Sequence, residues 1–310
     1  MGTADHHTPA GDTMARATND RACGLDRRRW MLAVAASMVT STATSTARST
    51  ARSASASSSN AQGFDHDHAA WTALLRKHVL PLRGGQASQI RYADFKADRA
   101  ALKAYRDSLS AVTETTFKAF GKPQQMAFLV NAYNAFTVEL ILTKYPAIAS
   151  IKDLGSLFSS PWKPKWIALL GGKLSLDDIE HGMLRERGRF DDPRVHFAVN
   201  CASIGCPPLR EESFVAERLD AQLDEQTLRF MSDSTRNRFA AATGRLEVSK
   251  IFDWYGEDFK LGHRGIASLA GFTARYADVL ADSPADRDRV RGLRAEISFL
   301  PYDWKLNDAA

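Results

Sequence analysis

Residues 123–144 read P-Q-Q-M-A-F-L-V-N-A-Y-N-A-F-T-V-E-L-I-L-T-K. A proline in the first turn suits a helix start, because its missing N–H would have had no partner there. Apolar residues then fall on nearly every side of a 3.6-residue wheel. The stretch therefore predicts a helix buried in the middle of the fold rather than one lying on its surface. It ends before Pro146, which cannot continue it. Asn131 and Asn134 interrupt the apolar surface three residues apart, and so on one face. A buried amide costs free energy unless partners are supplied. The pair either orients a substrate or a catalytic side chain, or ties neighbouring loops to the helix.

The flanking sequence places other elements around that helix. On its N-terminal side, Trp71, Leu74, Leu75, His78 and Val79 have helical spacing that closes at Pro81. Leu102, Tyr105, Leu109 and Val112 mark a second amphipathic helix. On its C-terminal side, residues 166–170 read as a strand turned back at Gly171-Gly172. Ser175 reads as the N-cap of a helix running to Arg187, with Asp178 in the capping-box position. Residues 195–200 read as a buried strand and residues 213–231 as a helix. Residues 236–240 and 245–249 flank Thr243-Gly244 as a hairpin. A stretch with Trp254, Tyr255 and several acidic residues follows, and then a helix marked by Ile266, Leu269, Phe272 and Tyr276. Ser283-Pro284 caps a last short helix, and I-S-F-L-P-Y-D-W-K-L-N at 297–307 reads as a strand and structured tail. No second linker interrupts residues 64–310. The fold class is α+β: a single, mainly helical domain over 62–310 with a small antiparallel sheet.

The chain has 310 residues, 44% hydrophobic and 25% charged, a globular composition with ample material for a core. Its formal net charge is +5, and residues 1–61 carry +3 of it, with seven arginines, four aspartates and no lysine or glutamate. The body is close to neutral and offers no electrostatic case for nucleic acid or an anionic membrane. Arg27-Arg28-Arg29-Trp30-Met31-Leu32 is similar to a twin-arginine export signal. The apolar stretch behind it, 30–39, is too short to span a bilayer stably. Ser/Thr/Ala-rich sequence follows, with small-residue cleavage sites ending at Ala43, Ala47, Ala56 or Ala61, of which distance from the apolar stretch favours Ala43 or Ala47. Residues 1–61 are therefore expected to be an export leader and linker, handed to export machinery. The body is expected outside the cytoplasm, in the periplasm. Cys23 would leave with the leader, and Cys201 and Cys206 would be the remaining thiols, in an oxidising compartment.

Those two cysteines lie in R-V-H-F-A-V-N-C-A-S-I-G-C-P-P-L-R, residues 194–210. A nucleophilic thiol needs a base within reach or a positive environment. If 195–201 is one strand, alternation puts His196, Ala198 and Asn200 on one face and Cys201 on the other. A local His196–Cys201 pair then requires a turn at Asn200; Cys206 as nucleophile, or His181 as base, is equally open. The two thiols can instead form a disulfide across the turn, or pack inertly. Glu180 beside His181 suggests acid–base chemistry, with His181 toward the apolar side near Ile179 and Leu184. The aspartates Asp177 and Asp178 read as a solvated first turn favoured by the helix dipole. His181, His196, Cys201 and Cys206 could in principle form a two-His, two-Cys zinc set, but the C-x4-C gap is at the upper end of usual spacing and the histidines form no H-x3-5-H pair, so zinc ranks third and no metal is expected. No phosphate-binding glycine loop, G-x-S-x-G or H-E-x-x-H occurs, and no cofactor is expected.

Several stretches together resemble the bacterial and plant family called domain of unknown function 547. They are F-L-V-N-A-Y-N-A at 128–135, L-D-D-I-E-H-G-M-L-R at 176–185, D-P-R-V-H-F-A-V-N-C at 192–201, C-P-P-L at 206–209, S-K-I-F at 249–252 and L-P-Y-D-W at 300–304. The resemblance implies one domain and makes Asn131, Asn134, Glu180, His181, His196, Cys201 and Cys206 motif positions, without naming a reaction. A buried helix followed by a histidine-bearing segment is also loosely similar to transglutaminase and papain-like thiol enzymes. In those enzymes the nucleophile opens the central helix, where this chain has the asparagines; a thiol mechanism here moves the nucleophile to the cysteine turn. The expected function is a thiol-dependent hydrolase or acyltransferase acting on an amide or ester, with asparagine amides or backbone N–H groups stabilising the oxyanion. The alternative is a non-enzymatic envelope binding or assembly protein with a structural Cys201–Cys206 bridge.

Overall fold

The helix Lys122–Leu142 runs through the interior, with every residue from Met126 to Glu139 buried. The Gln124 side chain accepts the Gly121 N–H at 2.9 Å and closes its first turn. These observations come from a computed structural model that describes residues 63–155 and 160–309. The expected leader, its cleavage sites and Cys23 lie outside the described residues. The described residues belong to one unit, 59–310.

The helix Arg99–Ser110 packs on the central helix, and Ala69–His78 packs on that in turn. Trp71 stacks on Tyr105 with centroids 5.5 Å apart. This apolar core is continuous with Ile179, Val195, Ala198 and Leu223. A second core gathers Phe197, Phe230, Phe252, Phe259 and Phe272 from the C-terminal half. Together they confirm an α+β chain dominated by helix. Among the described residues the strands form three small pieces rather than one sheet. Val79–Leu82 pairs with Ala87–Ile90, and Ile167–Leu169 with Gly172–Leu174, both antiparallel. Arg238–Ala240 pairs antiparallel with Arg245–Val248, and Glu296–Phe299 then adds to Arg245–Val248 in parallel. No described helix is long and apolar enough to cross a membrane.

Three local expectations are corrected. Residues 195–200 are not a strand: Val195–Ala198 is a short helix, and Val199 is extended. The Asp192 carboxylate accepts the Arg194 N–H at 3.0 Å, and the Asp192, Pro193 and Arg194 carbonyls accept the next three N–H groups. This Asp-Pro turn overrides the extended reading of the apolar run that follows it. The buried Arg194 guanidinium anchors the turn to Asp192, Asp220 and Asp224. Because successive helical side chains diverge by about 100°, Val195 and Ala198 enter the first core, Phe197 enters the second, and His196 faces a third direction. Next, the helix expected from 213 begins only with a single turn at Ala216–Arg218, followed by Leu219–Met231. Asn131 takes both the N–H and the carbonyl of Phe214, which a helix would have needed. Finally, the helix capped by Ser175 and Asp178 forms as expected over Leu176–Ile179, but widens to a π-turn at Glu180–Leu184 and stops there.

The C-terminal tail returns across the molecule to the cysteine turn. Ile204 and Gly205 donate to the carbonyls of Lys305 and Asp303, and Asn307 donates to that of Ala202. Gly205 permits this approach: a Cβ there would lie 2.9 Å from Tyr302 Cε2 and 3.0 Å from Asp303 backbone atoms. The result places Tyr302 and Trp304 beside the cysteines.

Candidate functional site

Cys201 and Cys206 are joined, with an S–S distance of 2.18 Å. The positive φ of Ala202, 61°, turns the chain between them. The Asn200 side chain braces the turn, accepting the Ala202 N–H at 2.9 Å and donating to the Pro207 carbonyl at 2.8 Å. Both thiols are consumed, so neither is a nucleophile in this state. The two sulfurs are not equivalent: Cys206 is buried, whereas Cys201 is half-buried. The Cys201 N–H points at Cys206 Sγ, 2.9 Å away. The Tyr302 hydroxyl lies 3.0 Å from Cys201 Sγ and 3.1 Å from Cys206 Sγ, and 2.9 Å from Ser203 Oγ. Burial pushes the Tyr302 phenol up, so it is a neutral hydroxyl.

His196 is buried, and its Nε2 lies 2.7 Å from Asp258 Oδ2. A carboxylate only accepts, so Nε2 carries the proton and Nδ1 is the acceptor of the neutral ring. Nδ1 is buried and has no hydrogen-bond partner among the described residues. Burial lowers the histidine's pKa, and the hydrogen bond to Asp258 and the charge of Glu180 only partly offset it. Asp258 also accepts from Arg185 Nε at 2.6 Å and Nη2 at 3.2 Å. Burial opposes its ionisation, but the bonds from His196 and Arg185 outweigh burial and hold the carboxyl below the usual carboxylate range. The His196 ring stacks on Tyr255 with centroids 4.0 Å apart. The Tyr255 hydroxyl donates to Glu180 Oε1 at 2.7 Å. Burial, and then the Glu180 charge, push the Tyr255 phenol up and keep it protonated.

His196, Tyr255, Glu180 and the bridged cysteines share a cleft of about 280 Å³, with Asp258 and Arg185 behind its lining. Its lining includes Cys201, Cys206, His196, Glu180, His181 and Asp177, with rings from Trp162, Trp254, Tyr255, Tyr302 and Trp304. Five of the seven residues singled out in the sequence therefore meet in one place. His181 differs in environment from the expectation: it is exposed at the rim, hydrogen-bonded to Arg185 and 3.9 Å from Asp177. The π-turn carries it away from Ile179 and Leu184, which are buried.

The two asparagines do not line the cleft. Asn131 Nδ2 donates to the Phe214 carbonyl at 2.7 Å, and its Oδ1 accepts the Phe214 N–H at 3.0 Å. Asn134 does the same for the carbonyl of Ala198 at 2.9 Å and the N–H of Asn200 at 2.8 Å. They tie two loops to the central helix, and Asn134 holds the backbone between His196 and Cys201. Sequence reasoning missed Asp258, Tyr255 and Tyr302 as site residues. The acidic stretch after Trp254 and the L-P-Y-D-W tail were visible signals, but no spacing rule connects them to His196 or Cys201. Among the described residues, no three His, Cys, Asp or Glu side chains are grouped to hold a metal ion.

The chain is similar over residues 117–231 to the family described as "Protein of unknown function, DUF547". That match contains the central helix, Glu180, His181, His196 and both cysteines, and stops before Tyr255, Asp258 and Tyr302. No curated protein and no solved structure matches the chain.

Proposed function

We propose that the chain is a thiol-dependent hydrolase or acyltransferase acting on an amide or ester, with Cys201 as nucleophile, His196 as base and Asp258 as the residue that orients the base. The observation that carries this reading is the buried His196–Asp258 pair: His196 lines the cleft that Cys201 also lines, and its second ring nitrogen has no partner among the described residues. A nucleophile, a base and a group orienting the base through its other nitrogen are the three parts such chemistry uses.

A dithiol reductant first supplies two electrons and two protons and opens the bridge. The Cys201 thiol then passes its proton to His196 Nδ1 as the sulfur bonds to the substrate carbonyl carbon. The Tyr302 hydroxyl, beside the sulfur, donates to the developing anion. The carbonyl re-forms, the C–N or C–O bond breaks, and the imidazolium returns the proton to the leaving group. Water, or an acceptor amine or alcohol, releases the acyl group from the thioester and regenerates the thiol. The twin-arginine-like leader and the bridged cysteines both support a periplasmic setting, in which the bridged form is the resting state.

The bridge itself favours a second reading, a non-enzymatic envelope binding or assembly protein. Mass spectrometry of the protein before and after mild reduction, with iodoacetamide labelling and an activated-ester assay, separates the two. The enzyme reading expects Cys201 to be alkylated about tenfold faster than free cysteine and ester turnover to appear only after reduction. His196→Ala should lower that turnover about 10²-fold or more. Alkylation of reduced Cys201 at the rate of free cysteine, with no turnover, would overturn it in favour of the second reading.

A further inference from the structure

The charges lining the cleft are one-sided. Asp177 and Glu180 line it, and among the described residues no lysine or arginine does. Glu180 is only 6% exposed, yet its hydrogen-bond partners are neutral phenols, Tyr255 and Tyr133. No cation forms an ion pair with it among the described residues. The nearby guanidinium, Arg185, lies 4.8 Å from the centroid of the Tyr255 ring and feels the Glu180 charge, but its hydrogen bonds are committed to Asp258, at 2.6 Å. A buried carboxylate without a cationic partner is costly, and natural proteins ordinarily pair such charges. The open space beside Glu180 is walled by aromatic rings, whose faces attract cations. The fold already seats one ammonium this way: Lys152 Nζ lies 3.9 Å from the centroid of Trp304. The volume, about 280 Å³, is at the small end for ligand sites and suits one residue-sized group better than a long polymer.

We propose that the substrate of this site carries a protonated amine, whose ammonium pairs with Glu180 and Asp177 while its methylene chain lies against Trp162, Trp254 and Trp304. That the amine-bearing molecule is an acyl substrate rests on the thiol-dependent reading above; the cation site does not.

The test uses the bridged, unreduced protein, so thiol chemistry is silent. Tryptophan emission is titrated with Nα-acetyl-lysine methylamide, with its uncharged isostere Nα-acetyl-norleucine methylamide, and with a neutral disaccharide. The lysine compound is expected to bind at least about tenfold more tightly than the norleucine compound. A tenfold gap corresponds to one charge-assisted contact at a partly screened site. The preference should fall toward unity in Glu180→Gln, weaken in Asp177→Asn, and shrink in about 0.5 M salt as screening shortens. Near-UV circular dichroism checks that Glu180→Gln keeps its fold; if it does not, Asp177→Asn and the salt series carry the test. Equal binding of the two amides, binding of the disaccharide alone, no binding at all, or a preference indifferent to Asp177 and salt would each overturn the proposal. Selective amine binding by a protein that shows no turnover after reduction would sink the thiol mechanism and leave the cation site standing.

Discussion

Asp258→Asn is the most informative single change. The wild-type carboxylate accepts three hydrogen bonds, from His196 at 2.7 Å and from Arg185 at 2.6 and 3.2 Å. Asparagine keeps the shape but offers one oxygen and one NH₂ group. His196 Nε2 and Arg185 Nε share Oδ2, while Arg185 Nη2 takes Oδ1. If the NH₂ takes the place of Oδ2, it faces both donors, and His196 Nε2 must become the acceptor. The proton then moves to Nδ1, and the base is lost. If the NH₂ takes the place of Oδ1, the oxygen keeps His196 and Arg185 Nε, the NH₂ faces Arg185 Nη2, and a largely buried guanidinium loses its carboxylate. Either way at least one charge-assisted hydrogen bond disappears, worth about 1.5–3 kcal/mol. Stranding part of a buried pair brings the total to about 3 kcal/mol. For a domain of this size that corresponds to a melting temperature about 6–12 °C lower. Thermal unfolding followed by circular dichroism at pH 7 measures it directly.

The sign of the pH dependence sharpens the test. Because the folded-state pKa of Asp258 is depressed, its stabilisation is full above the unfolded value, about 3.9, and is lost as pH falls through the folded value. The gap between wild type and Asp258→Asn should therefore be constant from pH 7 to 5 and begin to close below about pH 4. A variant that melts within about 2 °C of wild type at pH 7, and whose reduced Cys201 reacts as fast as in the wild type, would refute the assignment of Asp258 as the group that holds and orients His196.

Three further outcomes follow from other parts of the fold. His68 is buried and burial pulls its pKa down to about 4, so it favours folding at neutral pH and opposes it in acid. The protein should lose about 3 kcal/mol between pH 7 and 4 in urea unfolding from this residue alone, and His68→Phe should flatten that loss. Asn131→Ala leaves the buried N–H and carbonyl of Phe214 without partners, for about 2–4 kcal/mol in urea unfolding. Since Asn131 does not line the cleft, the reduced variant should keep wild-type Cys201 alkylation where it remains folded. Gly205→Ala drives a methyl group to 2.9 Å from Tyr302 and 3.0 Å from Asp303 backbone atoms. It should cost about 1–3 kcal/mol and change the tryptophan emission as Trp304 shifts; unchanged stability and emission would show that the tail does not depend on that close approach.

How legible the molecule was in its residues differs from part to part. The central helix was readable because apolar residues on all sides of a long stretch admit no other stable placement. The Ser175–Asp178 cap and the hairpin at Thr243-Gly244 were readable because their signals lie within four residues of the structure they make. The motif positions Glu180, His181, His196, Cys201 and Cys206 could be named, and they do share one cleft. Residues 195–198 were misread because a short apolar run carries the same pattern in a strand or a short helix. The Asp192-Pro193 turn and the buried Arg194 decided between them. The roles of the asparagines could not be read, since an amide on a buried helix face looks the same whether it meets a substrate or a backbone.

By itself, then, the amino-acid sequence determined what depends on neighbours a few residues away: the central helix, the Ser175 cap, the Thr243-Gly244 hairpin, the α+β class and the short list of chemically capable side chains. Tertiary structure alone decided which of those side chains act together. His196 meets Asp258 across 62 positions, Tyr255 meets Glu180 across 75, and Tyr302 meets Cys201 across 101. Periodicity and capping cannot report such pairings, because they arise only when two separately packed cores close on the short helix that carries His196 between them.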